Sequence, residues 1–124
     1  MPRKVTSAEL TALSTALQEV AAGREPVAAD LVAAVRVLCR RLGERHPGGT
    51  LELRVPPYAA VQLGIGQRGA HTRGTPPNVV ETDALTLLRL AAGTLSWPDA
   101  VSSPAVAASG PHAELGEVFP VTLR

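Results

Sequence analysis

Apolar side chains recur every three to four residues through the first third of the chain and every second residue after that. Helices therefore come first, and strands begin near residue 51. In residues 6–23, TSAELTALSTALQEVAAG, the residues Leu10, Leu13, Leu17 and Val20 share one helical face. Thr6 and Glu9 stand at capping-box spacing at its start, and Gly23 ends it. After the breaker Gly-Arg-Glu-Pro, residues 28–49 place Leu31, Val35, Leu38 and Leu42 on a second stripe, with Arg36, Arg40 and Arg41 largely off it. Both patterns predict packing helices, and arginines on the outer side of such a helix ordinarily keep it solvated.

From Leu51 the period is two. Leu51, Leu53 and Val55 alternate with Glu52 and Arg54, and beyond Pro56-Pro57 the residues Ala59, Val61, Leu63 and Ile65 alternate with Ala60 and Gln62. This predicts a hairpin with one apolar face, its prolines at the turn or on an edge because they donate no ladder hydrogen bond. Val79 and Val80 continue as a strand, and Thr82 or Asp83 is placed to cap ALTLLRLAAG, a short helix ending at Gly93. Ser96 and Pro98 start another helical turn, AVAAS reads as a short strand, and GPHAELGEVF as a last short helix gathering Leu115, Val118 and Phe119.

A chain of 124 residues is long enough to bury a core, and domains of roughly 100–150 residues are the commonest, so one domain over 1–124 is expected. Twelve Lys and Arg against eleven Asp and Glu leave a formal charge of +1, which argues against nucleic acid as a partner. Cys39 is the single cysteine, so no intrachain disulfide forms. The start MPRKVTSAEL lacks the apolar run of a signal peptide, and no stretch approaches the ~18 apolar residues of a membrane span, so the expected location is cytoplasmic with no integral membrane segment. Trp97, Tyr58 and Phe119 are the only aromatics amid abundant alanine. Close-packed elements, unfilled space between elements, and GC-rich codon usage all produce that composition.

The stretch GIGQRGAHTRGTPPNVVETD contains a G-x-G-x-x-G at Gly64, Gly66 and Gly69, with Glu81 and Asp83 downstream. A dinucleotide fingerprint needs a helix to begin within the glycines, so that its N–H groups meet the pyrophosphate. Gly74, Pro76 and Pro77 argue against that helix, so no cofactor is expected and the glycines read as a bend. His46, His71 and His112 are dispersed, and none sits at zinc-ligand spacing; Glu44 and His46 are the nearest pair. No G-x-S-x-G elbow occurs, and Cys39 beside an apolar stripe reads as a buried packing residue. Neither a metal site nor a catalytic constellation is expected. His71, Thr72, Arg73 and Thr75 offer a ring, a permanent cation and two hydroxyls that suit a carboxylate or phosphate, although such groups commonly bond their own loop.

These residues carry a resemblance. Residues 74–121, GTPPNVVETDALTLLRLAAGTLSWPDAVSSPAVAASGPHAELGEVFPV, are similar to the C-terminal half of sterol carrier protein 2-like domains. An acidic helix cap, an L-x-x-L segment, a Gly-Thr turn, an Ala-centred short helix, a strand and a final helix follow in the family's order. The whole chain, including RVPPYAAVQ, resembles the small actinobacterial sterol-carrier-family proteins, although Pro111 and His112 replace the acidic residue often found there. The resemblance implies an α/β (α+β) fold: a sheet of about five mostly antiparallel strands, covered by helices on one face, with an apolar tunnel between the layers. It also implies binding of sterols, fatty acids, acyl-CoA or other lipids.

Three functions follow. The first is a non-enzymatic lipid or acyl-ligand binding and transfer protein, its ligand space lined by Leu85, Leu88, Trp97, Val101, Val106, Leu115 and Phe119, with His71 and Arg73 at the mouth. The second keeps the fold with a filled core and acts as an interaction module, through a homodimer or an enzyme partner. The third, a thiol-dependent enzyme accessory domain, comes only from the family's fused relatives.

Overall fold

A computed structural model of the chain describes residues 3–66 and 76–123. Helix α1 spans Ser7–Ala21 and opens with the expected capping box: the Thr6 hydroxyl accepts the Glu9 N–H, and the Glu9 carboxylate accepts the Thr6 N–H. Its buried residues are Leu13, Ala16, Leu17 and Val20; of the predicted stripe, Leu10 at the first turn is only half-buried, and Ala16 is added. Helix α2, Ala28–Arg45, buries Val35, Leu38 and Leu42 and stops four residues short of the predicted segment, ahead of Pro47. Strands β1 (Leu51–Val55) and β2 (Ala59–Leu63) form the hairpin around Pro56-Pro57. Strand β3 is Asn78–Thr82, α3 is Ala84–Ala92 capped by Asp83 and closed by Gly93, α4 is Trp97–Val101 capped by Ser96, and β4 is Val106–Ser109.

The expected sheet of about five mostly antiparallel strands is, among the described residues, a mixed sheet of four, in the order β2-β1-β3-β4. β1 pairs antiparallel with β2 and parallel with β3, and β3 pairs antiparallel with β4. The parallel pair unites the halves of the chain, with Leu53 standing between Val61 on β2 and Val80 on β3. Leu51, Leu53 and Val55 are fully buried, whereas the alternating Glu52 and Arg54 are half-buried and salt-bridged to each other. α2 packs along β2, α1 and α3 pack on each other and on α2, and α4 sits against β4. One hydrophobic cluster runs from Leu13 to Val118.

The C-terminal segment departs from expectation. Residues 110–119 form turns, not a helix. Pro111 and Gly116 interrupt the segment, and side chains take up its backbone donors. The His112 N–H goes to Asn78 Oδ1 at 2.8 Å and the Gly116 N–H to Glu114 Oε1 at 2.6 Å. Leu115 and Val118 are nonetheless buried, so the anchoring survives without the helix.

A polar clip secures one end of the sheet. Asn78, buried at the start of β3, donates to the Thr50 carbonyl at 2.9 Å while accepting the His112 N–H. The Thr50 hydroxyl in turn accepts the Ile65 N–H at 2.9 Å. Two glycines make this crowding possible. A Cβ on Gly64 would stand 2.1 Å from the Pro47 carbonyl oxygen, and one on Gly110, at φ +107, would stand 2.5 Å from Asn78 Oδ1. The first glycine of the G-x-G-x-x-G string is thus a close-approach position. Beyond Gly66 the chain re-enters the described residues at Pro76 and runs into β3.

Replacing Asn78 by Leu strands the buried Thr50 carbonyl and removes the acceptor of the part-buried His112 N–H, and an unsatisfied buried group costs about 1–3 kcal/mol. Urea unfolding of the Asn78→Leu chain is therefore expected to show a loss in that range or above, and an unchanged midpoint would remove the clip from the account of stability.

Candidate functional site

The fold gathers most of the candidate lining residues into or against one hydrophobic cluster. Leu88 and Leu115 are fully buried, Trp97 and Val106 nearly so, and Leu85 and Phe119 are partly buried against the same cluster. Val101 is 40% exposed: on the short α4 the inward positions are Trp97 and Ala100, and Val101 lies about 100° further round. Trp97 and Phe119 are brought together, their rings stacked at 6.4 Å, and they line a surface groove of about 460 Å³ with Leu90, Leu95 and Pro120. His71 and Arg73 lie outside the described residues.

A larger groove, about 720 Å³, runs between α2 and the edge strand β2. Its lining combines Cys39 and Gly43 from α2 with Ala59 and Val61 from β2. Arg3, Lys4, Arg36 and Arg40 add the positive charge, and Glu44 is the acid among them. Gly43 lets helix and strand close on each other, since a Cβ there would come within 3.0 Å of Val61 Cγ2. The signal for this groove lay in α2: Arg36, Cys39, Arg40 and Gly43 recur at spacings of three and four, one face of a helix. Which strand opposes that face is settled only by the tertiary fold.

An ionic strap joins the N-terminal segment to α2. Glu9 accepts from Arg40, from the Thr6 N–H and from Arg3, and these bonds, Arg40's first, hold its carboxyl far below the usual range. Glu44 accepts the Val5 N–H at 2.8 Å, which with its Arg41 contact also lowers its pKa. The strap carries Arg3 and Lys4 to the groove. Arg36 donates from Nε to the Tyr58 carbonyl at 3.2 Å, a neutral acceptor that leaves its positive charge intact. Burial pushes the Cys39 thiol up to about 12. Among the described residues no three His, Cys, Asp or Glu side chains converge as a metal site requires.

Two solution measurements follow from these environments. A thiol with a pKa near 12 is almost wholly protonated at pH 8, so native Cys39 is expected to alkylate roughly 1,000-fold more slowly than an unfolded thiol of pKa about 8.5. Rapid native labelling would show the groove opening to solvent. Carboxyls with depressed pKa values stabilise the fold above their ordinary value of 4.5 and lose that contribution as the pH falls through the depressed values. The Glu9→Gln chain should therefore melt below the wild type at pH 6, with the gap closing on acidification. A gap independent of pH would exclude the carboxylate charge as its source.

Among the described residues no helix is long and apolar enough to cross a membrane. No curated protein matches the chain. A family model described as "Bacterial SCP ortholog" matches residues 28–121, from the first residue of α2 through β4 and the C-terminal turns. That match covers most of the chain and agrees with the mixed helix-and-sheet architecture, and the chain therefore belongs to the sterol-carrier-protein family.

Proposed function

We propose that the chain, taken as a single domain over residues 1–124, binds and carries an amphiphile with an acyl chain and a negatively charged head, and that the α2–β2 groove holds it. The observation that supports this reading is an apolar floor beneath a cationic rim in one depression of about 720 Å³. Small-molecule sites ordinarily measure ~300–1,000 Å³ and combine mostly apolar walls with a few polar groups. The acyl chain lies against Ala59, Val61 and Gly43, and the head pairs with Arg36 at the Tyr58 end or with Lys4 beside Glu44. Arg36 presents a planar fork suited to two oxygens of a carboxylate or phosphate. Family membership supports a lipid ligand at the level of the family. Because the groove is open along the sheet edge, a ligand enters and leaves without disrupting the core, as a carrier requires. No catalytic step is assigned.

A second reading has its own support. Leu88 and Leu115 are fully buried, so the space that the C-terminal pattern reserved for ligand is occupied by the core at those positions. This favours a filled-core interaction module, in which the β2 edge or the basic groove receives a protein, as a homodimer or with an enzyme partner.

Titration with a fluorescent fatty acid separates the two. Val61→Trp fills the groove and is expected to weaken binding at least about tenfold, the loss of ~1.4 kcal/mol or more that displacing several methylene contacts implies. Leu115→Trp overpacks the core and should cost about 1–3 kcal/mol of stability without changing affinity. Loss of affinity in Leu115→Trp with none in Val61→Trp would move the site to the C-terminal half. No binding by the wild type would favour the interaction module.

A further inference from the structure

We propose that the tip of the β1–β2 hairpin, together with the basic lip beside it, is a docking surface for an anionic lipid bilayer. Its purpose, holding the groove mouth against the headgroups, rests on the carrier reading above; the contact itself is a separate property and is measured separately.

The tip is built for a low-dielectric boundary. Pro56, Pro57 and Tyr58 are all exposed, and Tyr58 is one of the few exposed large apolar side chains of the described residues. A backbone segment moved out of water must have its N–H groups already satisfied. Pro56 and Pro57 have none to satisfy. The Tyr58 N–H is bonded across the turn to the Val55 carbonyl at 2.8 Å, and the Tyr58 carbonyl accepts from Arg36. No backbone N–H at these three positions therefore loses a water partner when the tip enters the headgroup layer. Tyrosine suits that depth because its ring is apolar and its hydroxyl stays wet.

Charge supplies the orientation. The overall charge is only +1, yet it is segregated. Arg3, Lys4, Arg36 and Arg40 line the groove that Tyr58 also lines, with Glu44 as its acid, while Glu9, Glu19, Glu25 and Asp30 line a separate groove between α1 and α2, where Glu19 is paired with Arg24. Glu9 offsets part of the charge of Arg3 and Arg40, and Glu44 stands beside Lys4, whereas Arg36, bonded to the neutral Tyr58 carbonyl, keeps its positive charge beside the tip. An anionic surface attracts the basic side and repels the acidic one, which turns the hairpin tip and the groove mouth toward the bilayer. An acidic protein or a nucleic acid would meet the same charges but has no use for a Pro-Pro-Tyr tip with no free backbone N–H. The tip is what favours a bilayer.

The test is flotation of the full-length chain with phosphatidylcholine vesicles, with and without phosphatidylglycerol. Binding is expected only to the anionic vesicles, about fivefold weaker for Arg36→Gln, in line with the loss of one basic residue near such a surface. Tyr58→Ser should weaken it further, and Tyr58→Trp should strengthen it, an improvement that a purely structural role for Tyr58 would not produce. Val27→Ser, at another exposed apolar residue, should leave it unchanged. The proposal is overturned if the wild type ignores anionic vesicles, or if the wild type, Tyr58→Ser and Tyr58→Trp chains all bind them equally, since the contact would then be undirected adsorption of charge. A wild type that floats with vesicles but ignores the soluble fatty acid keeps the docking surface and removes the carrier reading. The opposite pair of results does the reverse.

Discussion

The parallel pairing of β1 with β3 is the contact on which the rest of the structure depends. β1 is flanked on both sides, and its inward residues Leu51, Leu53 and Val55 are fully buried. Because β3 leads directly into α3, that pairing sets where α3 lies against α1 and α2, and through β4 it places α4 and the C-terminal turns. Parallel neighbours cannot be joined by a tight turn. The pair is therefore held in register by burial on one face and by the Asn78–Thr50 clip at its end, and a slip of one residue would turn Val80 away from the core and separate the clip's partners.

Among the described residues the same pairing leaves β2 as a sheet edge, and the groove lies along that strand. An edge strand exposes backbone groups that proteins usually cover or blunt. Here α2 runs along β2 with Gly43 close against Val61, and a depression with apolar walls lies between them. Cations gather at its rim for separate local reasons. Arg36 and Arg40 lie one helical turn apart, and the N-terminal strap brings Arg3 and Lys4 because Glu9 and Glu44 bind its backbone. Apolar floor and basic rim therefore arise from one packing arrangement, which supports a ligand that is apolar along its length and anionic at its end.

Much of this was legible in the chain. The capping box at Thr6 and Glu9, the buried stripes of α1 and α2 apart from the half-buried Leu10 and Leu31, the alternation in β1, and the caps at Asp83, Gly93 and Ser96 are as the residues indicate. Each depends on neighbours within about four residues, the range over which local sequence acts directly. The resemblance of the C-terminal half to the sterol-carrier family is likewise confirmed at the level of the family. The final helix is missing for a local and a long-range reason: Pro111 and Gly116 interrupt the segment, and His112 bonds to Asn78, thirty-four residues away, a partner that no helical period encodes.

What the sequence determined by itself, then, is which segments before residue 110 are helix or strand, which face of each is apolar, and that Cys39 belongs among buried residues. Tertiary structure decided which faces meet. Leu88 and Leu115 were suited to line a cavity or to fill a core, and only the docking of the C-terminal turns on α3 and α4 made them core. Arg36 and Arg40 read as an ordinary solvated face until β2 was laid beside them. The physical reason is the same in both cases. An apolar side chain minimises its exposure to water against any apolar surface, so its preference is written in the chain, but its partner is chosen by strand order and helix placement, which are properties of the whole fold.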